Sequence, residues 1–231
     1  MKLDLLERLN TVRRERRAAV VITYLQSGDG RLIVEGDDYG SDPLAGEIAE
    51  RLASGASGVD PVSGTFFTVH LPAIRLVLIG AVHVTQSLAP MALLAGFDTV
   101  IVDPRTAFAS PERFPGAELL TEWPQDVLPR LRLDRFTAVA TLTHVPDIDD
   151  PALAAALRAQ CFYVGAFGSR KSHAKRLDRL RKTGIGEADL AAVRAPIGLA
   201  IGAQTPGEIA VSILAEVVET VHRRPQPRSG G

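Results

Sequence analysis

The sequence predicts an α/β protein: a doubly wound parallel sheet preceded by a small α+β region. Three observations carry this. After Pro72, apolar runs of about five to seven residues alternate with helical patterns, the arrangement of a parallel sheet covered on both faces. Before Pro72 the texture differs, with an amphipathic helix and turn-separated short runs. The 231 residues, 46% of them apolar and 23% charged, are enough for one large domain with a smaller companion. The expected organisation is residues 1–71 as the small region, 72–224 as the main domain and 225–231 as a disordered tail.

The first helix is read from Leu3, Leu5, Leu6, Leu9 and Val12, spaced one helical turn apart among charged side chains. Ala18–Leu25 is a β-branched run, Ser27–Gly30 has turn composition and Arg31–Val34 is a second short run, so a hairpin follows. A helix near Leu44–Leu52 and a strand near Thr65–Leu71 complete the region, which carries eight acidic and two basic residues between Asp29 and Asp60. In the main domain the strands are Ile74–Ile79, Thr99–Val102, Thr137–Leu142 and Phe162–Val164.

Lys plus Arg total 26 against 27 Asp plus Glu, so no bulk field favours nucleic acid or anionic membrane, and any anion site is local. Cys161 is the only cysteine, which excludes an intrachain disulfide and a cysteine zinc cage. The charged opening MKLDLLERLNTVRRERR lacks the apolar core of a signal peptide. No membrane span is predicted, and the expected location is the cytoplasm.

Gly80-Ala81-Val82-His83 follows the first strand of the main domain, where dinucleotide folds place a glycine-rich phosphate turn. Gly80 is present, but Val82 fills the second glycine's place, where a β-branched side chain obstructs phosphate and disfavours positive φ. Asp103 ends the next strand 23 residues after Gly80, close to the roughly 20 expected of a ribose-binding acid. This makes the sheet Rossmann-like and keeps NAD(P) possible, though disfavoured by Val82. Arg105 follows, either to meet an anion or to lie in solvent.

His144 ends the third strand, at the edge of the ligand crevice of open α/β sheets. Asp150-Pro151 reads as a helix cap with proline at the first helical position, and the surrounding aspartates read as a solvated helix start rather than a metal site. Gly165, Gly168 and Ser169 form a glycine-rich turn opening a helix with seven basic residues between Ser169 and Lys182. Arg170 and Lys171 occupy its first turn, where the helix dipole disfavours cations, so a bound anion or plain solvation must compensate. Pro196-Ile197-Gly198 precedes Thr205-Pro206-Gly207-Glu208, a capping box opening an apolar helix. Cys161 reads as a structural thiol. No G-x-S-x-G elbow or P-loop lysine occurs, and no catalytic residue is assigned.

Taken in order, GAVHVTQSLAP, VDPR with Phe108 and ERFP, LTH with later aspartates, YVGAFGSRK and APIGLAIGAQTPGEIAVSILAEV resemble the xanthine dehydrogenase accessory protein family, the XdhC and CoxI group. The resemblance spans about residues 74–220. It implies a cytoplasmic, dimeric carrier of molybdenum cofactor, as molybdopterin or its cytosine dinucleotide form. Such a carrier works with a cysteine desulfurase and delivers its cargo to a molybdenum hydroxylase apoenzyme. The positions it marks as ligand-facing are Gly80, Ala81, Val82, His83, Asp103, Arg105, His144, Gly165, Gly168, Ser169, Arg170, Lys171, Pro196, Ile197 and Gly198. Two departures mark a short or divergent member: Val82 where the family turn reads G-A-G-H-V, and residues 1–70 without a glycine-rich, cysteine-bearing segment. The alternatives are an NAD(P)-dependent oxidoreductase, motivated by Gly80 and Asp103, and an interaction-only assembly partner that has lost the cofactor.

Overall fold

The computed structural model describes residues 2–223, and the expected tail at 225–231 lies outside them. The chain divides between Ala73 and Ile74 into two compact units.

In the first unit, helix α1 (Leu3–Arg14) precedes strands β1 (Ala19–Tyr24) and β2 (Gly30–Val34). Helix α2 (Ala45–Ser54) and strands β3 (Gly58–Asp60) and β4 (Thr65–His70) follow. The antiparallel sheet runs β2-β1-β4-β3. Alternation sorts its two faces. Leu5, Leu9 and Val12 of α1 pack with Ala19, Val21, Leu32 and Val34, while α2 lies against β1 and β4 and buries Ile48 and Leu52. β3 was not expected. Its three residues carry too little pattern to be read, and pairing with Thr65–Phe67 creates it.

In the second unit β5 (Arg75–Ile79), α3 (His83–Leu94), β6 (Asp98–Val102), β7 (Glu118–Leu120), α4 (Pro124–Leu131) and β8 (Thr137–Thr141) are followed by α5 (Pro146–Arg158) and β9 (Tyr163–Ala166). Helices α6 (Arg170–Lys182) and α7 (Glu187–Leu190), strand β10 (Val193–Arg194) and helix α8 (Pro206–His222) complete it. The six strands are parallel in the order β10-β9-β8-β5-β6-β7. The order reverses direction at β5 and β8, the switch point where such sheets open a ligand crevice. Val77, Val100 and Val139 stand in register and are fully buried. Alternate residues face two cores. Val77, Ile79, Val100 and Val164 pack under α4, α5 and α6, and Leu76, Leu78, Ile101 and Ala140 under α3 and α8. Truncating one such side chain, Leu78→Ala for example, costs about 2–5 kcal/mol.

Two local expectations are corrected. Helix α5 begins at Pro146, with Val145 at the cap position, so Asp150-Pro151 lies inside the helix rather than at its start. Asp149 is 1% exposed and therefore not part of a solvated helix start. Its carboxylate accepts from the Thr143 hydroxyl at 2.7 Å, and that hydroxyl accepts from the Val145 amide at 3.0 Å, which sets the helix start five residues earlier than expected. The capping box of α8 forms as read: the Glu208 amide donates to Thr205 Oγ1, and Glu208 Oε2 accepts from the amides of Gln204 and Thr205.

Candidate functional site

The carboxyl ends of β5, β8 and β9 bring their loops to one edge of the sheet. Two clefts open there and share a wall. The larger, about 590 Å³, is lined by His144, Phe167–Arg170, Pro196–Ala203, Ile209 and Ser212. The smaller, about 220 Å³, is lined by Val82, His83, Val84, Leu142 and Thr143, with His144 and Phe167 again. The two rings meet edge to face with centroids 4.7 Å apart, a favourable arrangement for aromatic pairs. His144 has φ 63°, an uncommon value for a residue other than glycine. Its flanking residues are held in place, since Thr143 and Val145 both belong to the hydrogen-bond chain anchored on Asp149.

The turn after β5 is closed. Gly80 takes φ +117°, and a Cβ there would stand 2.6 Å from the Thr143 methyl, so glycine serves the close approach of the neighbouring loop. The Gly80 carbonyl accepts from the Thr85 hydroxyl, which explains a threonine where a small residue is usual. Val82 has φ −94° and ψ 177° at the cap of α3. The position needs no positive φ, and that part of the expected conflict with Val82 is removed.

Asp103 is also reassigned. It is fully buried. One oxygen accepts from the Ala81 amide at 2.7 Å and from Arg105 Nη2 at 2.8 Å, the other from the Arg105 amide and Nε. Burial works to raise its pKa, but the hydrogen bonds from Arg105 and the two amides outweigh it and hold the carboxyl below the usual range. With both oxygens taken, Asp103 offers nothing to a ribose, and the observation that favoured NAD(P) loses its force. Arg105 is clamped on Asp103 and stacked on Phe108, its guanidinium carbon 4.7 Å from the ring centroid.

Of the remaining expected residues, Gly168, Ser169, Arg170 and Pro196–Gly198 line the larger cleft, and His83 lines the smaller. Lys171 is exposed beside Arg170. Ser169 caps α6, its hydroxyl accepting from the Ser172 amide at 3.2 Å. Ala81 and Gly165 are buried and line neither cleft. A Cβ on Gly165 would strike Ile197 and Tyr163 at 2.6–2.7 Å, so this glycine lets the Pro196–Gly198 turn settle onto the sheet.

Several organising residues escape the sequence patterns. Arg113 Nη1 donates to the Ala81 carbonyl at 3.1 Å, holding the first turn from outside. Glu216, within the apolar stripe of α8, accepts from the Tyr163 hydroxyl at 2.6 Å and from the Gly198 amide at 2.8 Å. Burial, reinforced by that bond, raises the Tyr163 phenol far above its usual range, so it stays a neutral donor. A lone acid on an apolar helical face is the one signal that marks Glu216. Cys161 is half-buried, its thiol pushed up to about 12 mainly by burial, an inert state.

A parallel sheet in this order, with a glycine turn after β5 and clefts at the switch point, defines a Rossmann-type domain. Residues 76–217 match the family model described as the XdhC Rossmann domain. The chain belongs to the XdhC family. It is 34% identical over 187 residues to the uncharacterized protein YqeB of Escherichia coli, covering 79% of this chain and 33% of that protein. It is 32% identical over 146 residues to the molybdenum cofactor insertion chaperone PaoD of Escherichia coli, covering 63% of this chain and 40% of PaoD. The chain thus spans between a third and a half of these curated relatives. The crystal structure of a xanthine dehydrogenase from Bacillus halodurans shares the fold, with a TM-score of 0.66 and 24% identity over 99% of this chain and 68% of that one.

Proposed function

We propose that this chain is a maturation factor for a molybdenum hydroxylase of the xanthine dehydrogenase or carbon monoxide dehydrogenase type. It binds molybdenum cofactor, as molybdopterin or its cytosine dinucleotide form, and shields it while a cysteine desulfurase supplies the terminal sulfur. It then passes the cofactor to the apoenzyme. It works in the cytoplasm as a homodimer and needs no catalytic residue of its own. The observation that carries this reading is the pair of clefts meeting at His144 and Phe167. One cleft combines an apolar wall of Pro196, Ile197, Leu199 and Ile201 with the cationic turn at Ser169–Arg170. A flat pterin with a phosphate tail needs both chemistries, apolar faces for the ring and donors for the anion. The similarity to PaoD, a molybdenum cofactor insertion chaperone, supports the same cargo.

The test is anaerobic equilibrium binding of isolated molybdenum cofactor to the purified protein, with Val82→Gly measured alongside. Saturable binding near one per chain supports the carrier. Binding by neither protein overturns it. Binding only after Val82→Gly identifies an assembly partner that has lost its cargo.

A further inference from the structure

Helix α6 opens with two cations and no acid in its first turn. One and a half turns on, Arg176 is 4% exposed. Its Nη2 donates to the Phe167 carbonyl at 2.8 Å, while Nε and Nη1 have no hydrogen-bond partner among the described residues. Among the described residues no acid is hydrogen-bonded to Arg176: Asp150 pairs with Arg179, and Asp149 bonds Thr143 through Oδ1 while its buried Oδ2 has no hydrogen-bond partner. Burial depresses the Arg176 pKa, Asp149 and Asp150 oppose that in part, and Arg179 adds to it. A half-bonded buried guanidinium is a poor device for stability alone.

Its placement orders the turn above it. In a planar trans peptide the carbonyl and the following N–H point opposite ways. With the Phe167 carbonyl drawn onto Arg176, the Gly168 N–H points away from that guanidinium, and Gly168 itself lines the larger cleft. Gly168 has φ +136°, and the position where a Cβ would sit is 3.8 Å from Arg176 Nη2 and 2.7 Å from Ser172 Oγ. A bare turn, successive amides at a helix start and an under-compensated buried cation behind them form a cradle for a tetrahedral anion.

We propose that the Gly168–Lys171 turn is a phosphate site, and that Arg176 is its buried positioning residue and charge source. This rests on the reading of the larger cleft as the cargo site. It assigns the phosphate end of the cargo to the turn after β9 instead of the turn after β5.

The test is an NMR titration of the wild-type protein with inorganic phosphate and with pyrophosphate, following backbone amides and arginine Nε–H signals. Saturable shifts at Gly168, Ser169, Arg170 and Arg176 Nε are expected. Tighter pyrophosphate binding assigns a diphosphate, and equal affinities assign a monophosphate. Arg176→Met is expected to weaken binding about tenfold or more, Arg176→Lys to recover part of it, and the Arg170→Ala, Lys171→Ala double variant to lose only about threefold. Shifts confined to the His83–Thr85 amides, or unchanged affinity in folded Arg176→Met, would overturn the proposal. Should Arg176→Met not fold, the wild-type titration decides alone. Phosphate binding at this turn without cofactor binding leaves the site standing and removes the carrier reading. Cofactor binding with a silent turn does the reverse.

Discussion

The turns after β5 and β9 begin alike, each with a glycine at positive φ leading into a helix, yet they are built for opposite purposes. The first spends its polar groups internally: the Gly80 carbonyl on Thr85, the Ala81 amide on Asp103 and the Ala81 carbonyl on Arg113. Thr143 fills the space against Gly80, and Val82 and His83 line the smaller cleft beside it. The second is open, cationic and backed by a guanidinium with unmatched N–H groups. A motif's location in a fold therefore does not fix its use. What matters is whether its donors have already been consumed.

The largest effect should separate the two glycines. Gly80→Ala combines left-handed strain with overpacking against Thr143, whose backbone nitrogen also lies 3.4 Å from the added carbon. The expected loss is about 3 kcal/mol. Gly168→Ala meets chiefly the movable Ser172 hydroxyl, and the expected loss is about 1–2 kcal/mol from strain. Denaturant midpoints check both, and equal losses would erase the contrast.

Next in size, Asp103→Asn strips the closed turn of its ionic anchor and is expected to cost about 3 kcal/mol near neutral pH. Because the folded pKa of Asp103 is depressed, its contribution is present above the unfolded value of about 3.9 and is lost as pH falls through the folded one. The gap between variant and wild type should therefore narrow below about pH 4. A constant gap would mean that packing, not charge, holds the turn.

Smaller still is Val82→Gly, expected to change stability by no more than about 1 kcal/mol, since glycine is the better helix cap and the valine is only partly buried. Cofactor affinity should stay unchanged, because the Asp103 network still closes the turn. A gain in equilibrium binding would show that one methyl pair was the sole obstacle. The smallest effect is expected of Arg170→Ala with Lys171→Ala: stability within about 0.5 kcal/mol of wild type, and slightly higher if anything, as the helix dipole is relieved. Thermal melts check this, and a clear loss would make these cations structural.

The long strands of the parallel sheet were legible because burial on both faces demands unbroken β-branched runs. β3, β7 and β10 were not, having only three, three and two residues. Capping at Thr205–Glu208 could be read because its partners lie within one turn. The start of α5 was misread since Pro146 and Pro151 present the same local chemistry, and only the Thr143–Asp149 bond chooses between them. At the cleft edges, His144, Gly168, Ser169 and Arg170 could be singled out from their place after expected strands, and Pro196–Gly198 from its place before the capping box and from the family resemblance. Arg176 and Glu216 act across 9 residues to Phe167 and 53 to Tyr163, distances at which one sequence carries no pairing signal. Asp103 reads in sequence as a partner for a ribose, but its hydrogen bonds go to Arg105 and the Ala81 amide.

The edges of the parallel sheet are β7 and β10, with three and two residues. Partners that recognise backbone extend an edge strand, and edges so short give them almost no ladder to continue. A protein partner of the parallel sheet is therefore expected to read its helices and loops, and such an encounter ends without unzipping a sheet.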